Sequence, residues 1–117
     1  LGAGEVSHVV VTHPHEDHMG ATPELGVDAL IVAHPGTTAA MGEPYVFMEG
    51  VSMPPKPASA LPDLEVRSDT TLVLAAVRVR LVPTVAHTGG DLAVYFPDAR
   101  VAHLGDTYLA ANPMMYP

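Results

Sequence analysis

Residues 12–20 read Thr-His-Pro-His-Glu-Asp-His-Met-Gly, placing three histidines and an aspartate within the six positions from His13 to His18. Just before them, Ser7–Val11 (SHVVV) is a short β-branched run between Gly4 and Pro14, which reads as a buried strand. The polar stretch is then the loop at that strand's C-terminal end. Beyond it, Thr22-Pro23-Glu24 reads as an N-cap followed by proline at the first helical position, opening a short helix to about Val27. Ala29–Ala33 (ALIVA) is a second apolar run of strand length. Strand, loop, helix, strand is an α/β alternation, so the fold class is read as α/β (α+β).

His13 and His15 are two residues apart, so on extended chain their side chains point the same way and can chelate one ion. Asp17 and His18 are adjacent and diverge, which suits a second ion beside the first. The plainer reading is a polar surface loop, but so dense a set of ligand-type residues favours metal. Cysteine is absent, which excludes disulfides and thiolate sites and leaves imidazole and carboxylate as donors. Two further candidates lie downstream. His87 sits in AHTGG between two strands, and Asp106 sits in LGDT after a strand over 100–104. The glycines of AHTGG allow the close backbone approach that a crowded site requires.

The rest of the chain frames these residues. Residues 35–62 carry Pro44, Pro54, Pro55, Pro57 and Pro62, three methionines, Tyr45 and Phe47 without clear periodicity, and are expected to form a loop that packs over a site. Thr70–Leu74 and Val77–Val82 read as paired strands, the second with alternating apolar and arginine positions. Residues 91–96 and 100–104 read as strands flanking a short connection at Pro97-Asp98-Ala99. His8, His34 and His103 are read as structural.

Composition narrows the partners. The 117 residues are one small domain's worth, with a formal charge of −8 and five fixed cations. An acidic chain without a basic stripe is not expected to bind nucleic acid. No apolar run reaches the eighteen residues of a membrane span, so no membrane partner is expected. Divalent cations would offset part of the negative charge.

THPHEDHMG, then AHTGG, then LGD, in this order, resembles the metallo-β-lactamase superfamily of hydrolases. The stretch from AHTGG onward is most similar to a branch described as quinoprotein-relay or cyclase-like. The resemblance implies that His13, His15 and His87 hold a first metal, Asp17 and His18 contribute to a second, and Asp106 bridges the two. The implied cofactor is Zn2+, two per complete domain, with iron or manganese as other candidates. The implied activity is hydrolysis of an ester, thioester, lactone or lactam-type small molecule by metal-activated water, with Asp17 orienting the nucleophile and taking its proton. Asp106, where one large class of true β-lactamases has Cys, leans toward thioester and phosphoester hydrolases. His15, where the flavodiiron branch has Glu, argues against a di-iron site. The alternatives are a mononuclear-iron persulfide dioxygenase-like activity and a metal-binding module without catalysis.

The implied fold is an αββα sandwich. Residues 1–117 are expected to be the central portion of one such domain, lacking its N-terminal strands and its C-terminal part with the last ligating histidine. A complementing chain or dimer is the other way to complete it.

Overall fold

The computed structural model describes residues 6–108. Its first sheet is parallel: β1 (His8–Val10), β2 (Leu30–Ala33) and β5 (Leu64–Glu65), side by side in that order. Between β1 and β2 the chain crosses through two single-turn helices, α1 (Glu16–Met19) and α2 (Thr22–Leu25). After β2 come α3 (Pro35–Met41) and an antiparallel hairpin, β3 (Tyr45–Met48) with β4 (Val51–Met53). The second sheet is antiparallel and four-stranded, β6 (Thr70–Leu74), β7 (Val77–Thr84), β8 (Asp91–Phe96) and β9 (Val101–His103), in sequence order.

The apolar alternation of β1 and β2 places three layers. Val9, Val11, Ile31 and Ala33 pack with Met19 of α1 and Met41 of α3. Their neighbours Val10 and Val32 face the other way, onto Val79, Leu81, Leu92 and Val94 of the antiparallel sheet. The parallel sheet is thus covered on both faces, as runs apolar at every position require. Full burial of each such side chain contributes roughly 1.5–3 kcal/mol. The two sheets are also joined through backbone at one end, where the Leu92 N–H donates to the Thr12 carbonyl at 2.7 Å.

Four expectations need correction. Residues 35–62 are not irregular. His34 caps α3 by accepting the Gly36 N–H on Nδ1 at 3.0 Å, and Pro35 occupies the first turn. A histidine cap falls outside the usual Ser, Thr, Asp and Asn signal, which hid this helix. The β3–β4 hairpin turns at Gly50, whose φ is +77°, and its register shifts between Val46 and Met48. That shift breaks the strict alternation by which a hairpin is recognised. Second, the metal-type loop contains α1, so it is only partly loop. Third, Thr22 is not the cap of α2: Ala21 is, and the Thr22 hydroxyl instead donates to the Met19 carbonyl at 2.8 Å. Fourth, β7 runs two residues further than expected, through Pro83 to Thr84. The β6 ladder ends opposite Leu81, so Pro83 lies past it, an edge position of the kind strand prolines occupy. The other strands fall within a residue or two of their expected bounds.

One turn carries visible strain. β6 and β7 are joined by Ala75 and Ala76 alone, at φ +47° and +70°, both exposed. A two-residue hairpin turn with both residues left-handed is the conformation Asn-Gly favours and alanine resists, by roughly 1–2 kcal/mol per residue. Replacing the pair (Ala75→Asn with Ala76→Gly) should raise the midpoint of thermal unfolding by several degrees, followed by circular dichroism. An unchanged or lower midpoint would contradict this turn geometry.

Candidate metal centre

Each ligand-type residue stands at or just beyond the C-terminal end of a strand. His13 and His15 follow β1, His13 at a bend and His15 as the extended residue that precedes α1. His87 lies in the turn between β7 and β8, and Asp106 in a 3-10 turn (Gly105–Thr107) after β9. The site therefore straddles the ends of both sheets.

Three imidazoles converge there. His15 Nδ1 lies 3.1 Å from His13 Nε2 and 3.0 Å from His87 Nε2. One imidazole nitrogen carries either a proton or a lone pair, so it cannot serve two equivalent neighbours as a donor. Around a tetrahedral zinc with bonds of 2.0–2.1 Å, ligand nitrogens sit about 3.3 Å apart, close to the spacing found. Asp106 Oδ2 lies 3.9 Å from both His13 Nε2 and His87 Nε2. Ligand atoms of His13, His15, His87 and Asp106 all fall within 4.8 Å of one another, so this donor set fits a cation.

Asp106 faces a second group as well. Its other oxygen, Oδ1, lies 3.3 Å from His18 Nε2, and the same nitrogen lies 3.5 Å from Asp17 Oδ2. The structure thus brings five of the expected residues around Asp106 in two sets. His13, His15 and His87 stand on one side, His18 and the exposed Asp17 on the other. His8, His34 and His103 do not join the group. His8 lies beside Ser7, His34 caps α3, and His103 Nδ1 accepts the Gly105 N–H at 3.2 Å.

The surroundings favour the neutral form of His13 and His15. Burial first, then the neighbouring imidazoles of His18 and His15, push the His13 pKa from 6.5 down to about 4, against the pull of Asp106. Burial and then His87 lower that of His15. A neutral imidazole offers its lone pair, which is the form a metal requires.

Close packing fixes the turns that carry the ligands. Gly105 has φ +53°, and a Cβ there would lie 2.9 Å from the Thr12 hydroxyl. Of the two glycines in AHTGG, Gly90 is the constrained one. Its Cβ would lie 2.5 Å from the Thr37 backbone nitrogen, while Gly89 has open space. Thr37 completes the contact by donating to the Gly90 carbonyl at 2.7 Å, so α3 abuts the His87 turn.

Sequence reasoning missed Asp91, which holds that turn from inside. Its carboxylate is 1% exposed and accepts the backbone N–H groups of Ala86 (3.0 Å), His87 (2.8 Å) and Thr88 (2.9 Å). It also accepts the Thr88 hydroxyl at 2.6 Å. Burial alone would raise the carboxyl pKa, but the bonds from Thr88, Ala86 and His87 outweigh it and hold the group ionised. The available signal was an aspartate three residues after a threonine, the chemistry of a side-chain-closed turn.

Comparison with known proteins identifies the family and the fold. The family described as the metallo-beta-lactamase superfamily matches residues 1–117. The UPF0173 protein PF0020 of Pyrococcus furiosus is 31% identical over 107 residues, covering 90% of this chain and 45% of that protein. A hydroxyacylglutathione hydrolase of Cereibacter sphaeroides is 29% identical over 105 residues, covering 90% and 35%. Among solved structures, a metallo-beta-lactamase of Cronobacter sakazakii superposes with TM-score 0.68 at 18% identity, over 93% of this chain and 44% of that one. The Rm3 metallo-beta-lactamase gives 0.62 at 22%, over 83% and 38%. At such identities the structural likeness speaks for the fold alone. The chain spans less than half the length of the curated relatives it matches.

Two outcomes follow. Asp91→Asn keeps the shape of the side chain but weakens its grip on three backbone donors, and should reduce metal affinity about 10–100-fold in chelator competition. Unchanged affinity would remove Asp91 from the support of His87. For the metal-free protein, His13 titrates near 6.5 when unfolded and near 4 when folded, so the unfolded state takes up the proton first. Its stability contribution is therefore full above about pH 6.5 and is lost as pH falls toward 4. Thermal unfolding in chelator should show a lower midpoint at about pH 5 than at about pH 7.5, and a flat profile would contradict this.

Proposed function

The chain belongs to the metallo-β-lactamase superfamily, and from that premise we propose that it carries the metal-binding part of a hydrolase acting on a small ester, thioester, lactone or lactam. The observation that carries the reading is the two-sided placement of Asp106. One of its oxygens faces His13 and His87, and the other faces His18. A carboxylate so placed suits a pair of cations better than one. His13, His15 and His87 would hold the first, Asp17 and His18 would contribute to the second, and Asp106 would serve both. Zinc suits this all-nitrogen and oxygen donor set. When bound, the ions supply Lewis acidity, lowering the pKa of water and offsetting charge that develops on a substrate oxygen.

The chain's own residues supply the rest. Asp17 is the most exposed member of the set, with its side chain 60% accessible, and it lies beside His18. In this reading it would orient an incoming water and accept its proton as the water oxygen bonds to the substrate carbonyl carbon. The bond to the leaving alcohol, thiol or amine then breaks, and that group departs with a proton. Buried neutral His13 and the Asp91-held His87 fix the opposite wall, so that little rearrangement accompanies the reaction. Relatives named hydroxyacylglutathione hydrolase support a thioester among the candidate substrates.

The full-length gene product should bind two equivalents of zinc and turn over at least one of a thioester, lactone, β-lactam or phosphodiester panel. Asp106→Asn should lower kcat/KM at least about 100-fold and reduce bound zinc. One iron per chain with dioxygen uptake would replace this reading with persulfide oxidation, and metal binding without any turnover would reduce it to a binding module.

A further inference from the structure

The metal-type loop contains a carboxylate that the site itself does not use. Glu16 stands between His15 and Asp17, yet its side chain turns away from the imidazoles. It accepts two hydrogen bonds from Lys56 Nζ, at 2.9 Å on Oε1 and 2.8 Å on Oε2, and a third from the Tyr45 hydroxyl. These partners are the two roots of the β3–β4 hairpin. Tyr45 is the first residue of β3, and Lys56 follows β4 by three residues. Lys56 is also pinned through its backbone, its N–H donating to the Met41 carbonyl at the end of α3 at 2.8 Å. Its side chain is 9% exposed and that of Glu16 22%, so the ion pair is partly shielded from solvent and salt.

The element anchored this way cannot hold itself. α1 is one turn of four residues with no side-chain cap, far below the length at which a helix is stable alone. Buried Met19 secures its last residue. Glu16 secures its first. Asp17 and His18 lie between these two anchors, whereas His13 and His15 precede them, next to β1, and contact Thr12 and His87. We propose that Glu16 is a positioning residue that couples the β3–β4 hairpin to the Asp17–His18 half of the centre. Order in the hairpin roots then strengthens the second ion, and by reciprocity the second ion orders the hairpin. The first ion, on His13, His15 and His87, is left nearly indifferent. This inference rests on the two-ion reading above.

The test is a zinc titration of the full-length gene product by chelator competition, with hydrogen exchange of residues 45–53 followed at each equivalent. Glu16→Gln should weaken the second equivalent tenfold or more and change the first less than threefold. Tyr45→Phe, which removes one hydrogen bond and leaves the ion pair, should weaken the second equivalent in the same direction by a smaller factor. Filling the second equivalent should increase protection of the hairpin amides in the parent and not in Glu16→Gln. If the parent takes up two equivalents but the variants weaken both alike, or hairpin exchange ignores the second, the coupling is overturned and the two-ion reading stands. A parent that takes up only one equivalent overturns the two-ion reading and the coupling with it.

Discussion

Everything near the site answers to one constraint: the imidazole nitrogens of His13 and His87 lie 3.0–3.1 Å from that of His15, next to a carboxylate, in a place where burial disfavours protonation of His13 and His15. Left to itself such a cluster is electrostatically costly, because protonating any member sets it against its neighbours and against burial. The chain keeps it assembled by immobilising the backbone beneath each member. The Thr12 carbonyl takes the Leu92 N–H beside His13, Asp91 gathers the His87 turn, and left-handed Gly105, packed against Thr12, precedes Asp106. A site prepared at this cost is organised for a ligand that reconciles its members, and a cation does so by accepting every lone pair at once.

The ligand-type residues come from two different sheets, so a metal bound among them would have a structural consequence. His13 and His15 continue the parallel sheet, while His87 and Asp106 lie on the antiparallel one. Besides the interior apolar contacts, the Leu92 to Thr12 bond is a backbone link between them at this end. An ion shared by both sets of ligands would cross-link the layers and add its binding free energy to the stability of their packing. Elsewhere between the sheets lies an open, largely apolar cavity of about 280 Å³, lined by Val10, Leu74, Val79, Val94 and Phe96 with His8 and His103 at its polar margin.

Sequence reading singled out residues that the structure brings together, because the signal of the His-x-His stretch is local. A strand of β-branched residues ending in His-x-His needs no tertiary information to place two imidazoles on one side. The strand alternation of Val77–Val82 was legible for the same reason. What escaped were residues whose roles are defined by distant partners. Asp91 matters because three backbone N–H groups point at it, and Lys56 because Glu16 lies forty positions away yet in contact. α3 and the β3–β4 hairpin escaped for a different reason: a histidine cap and a shifted register lack the usual signatures, and five prolines suggest interruption. Proline at the first turn of α3 in fact begins a helix there.

The acidic residues show how such a chain separates scaffold from site. Asp91 and Glu16 are carboxylates satisfied by the protein: each accepts several hydrogen bonds at ordinary lengths from N–H or O–H donors, and each is held below the usual carboxylate range despite burial. Asp106 is placed differently. The imidazole nitrogens around it stand 3.3–3.9 Å away, beyond good hydrogen-bond length for a charged acceptor, and they approach both of its oxygens. A carboxylate spaced from its neighbours on two sides has room for something between. Scaffold acids are therefore those whose oxygens are closed by short bonds, and the site acid is the one whose geometry is left open to cations.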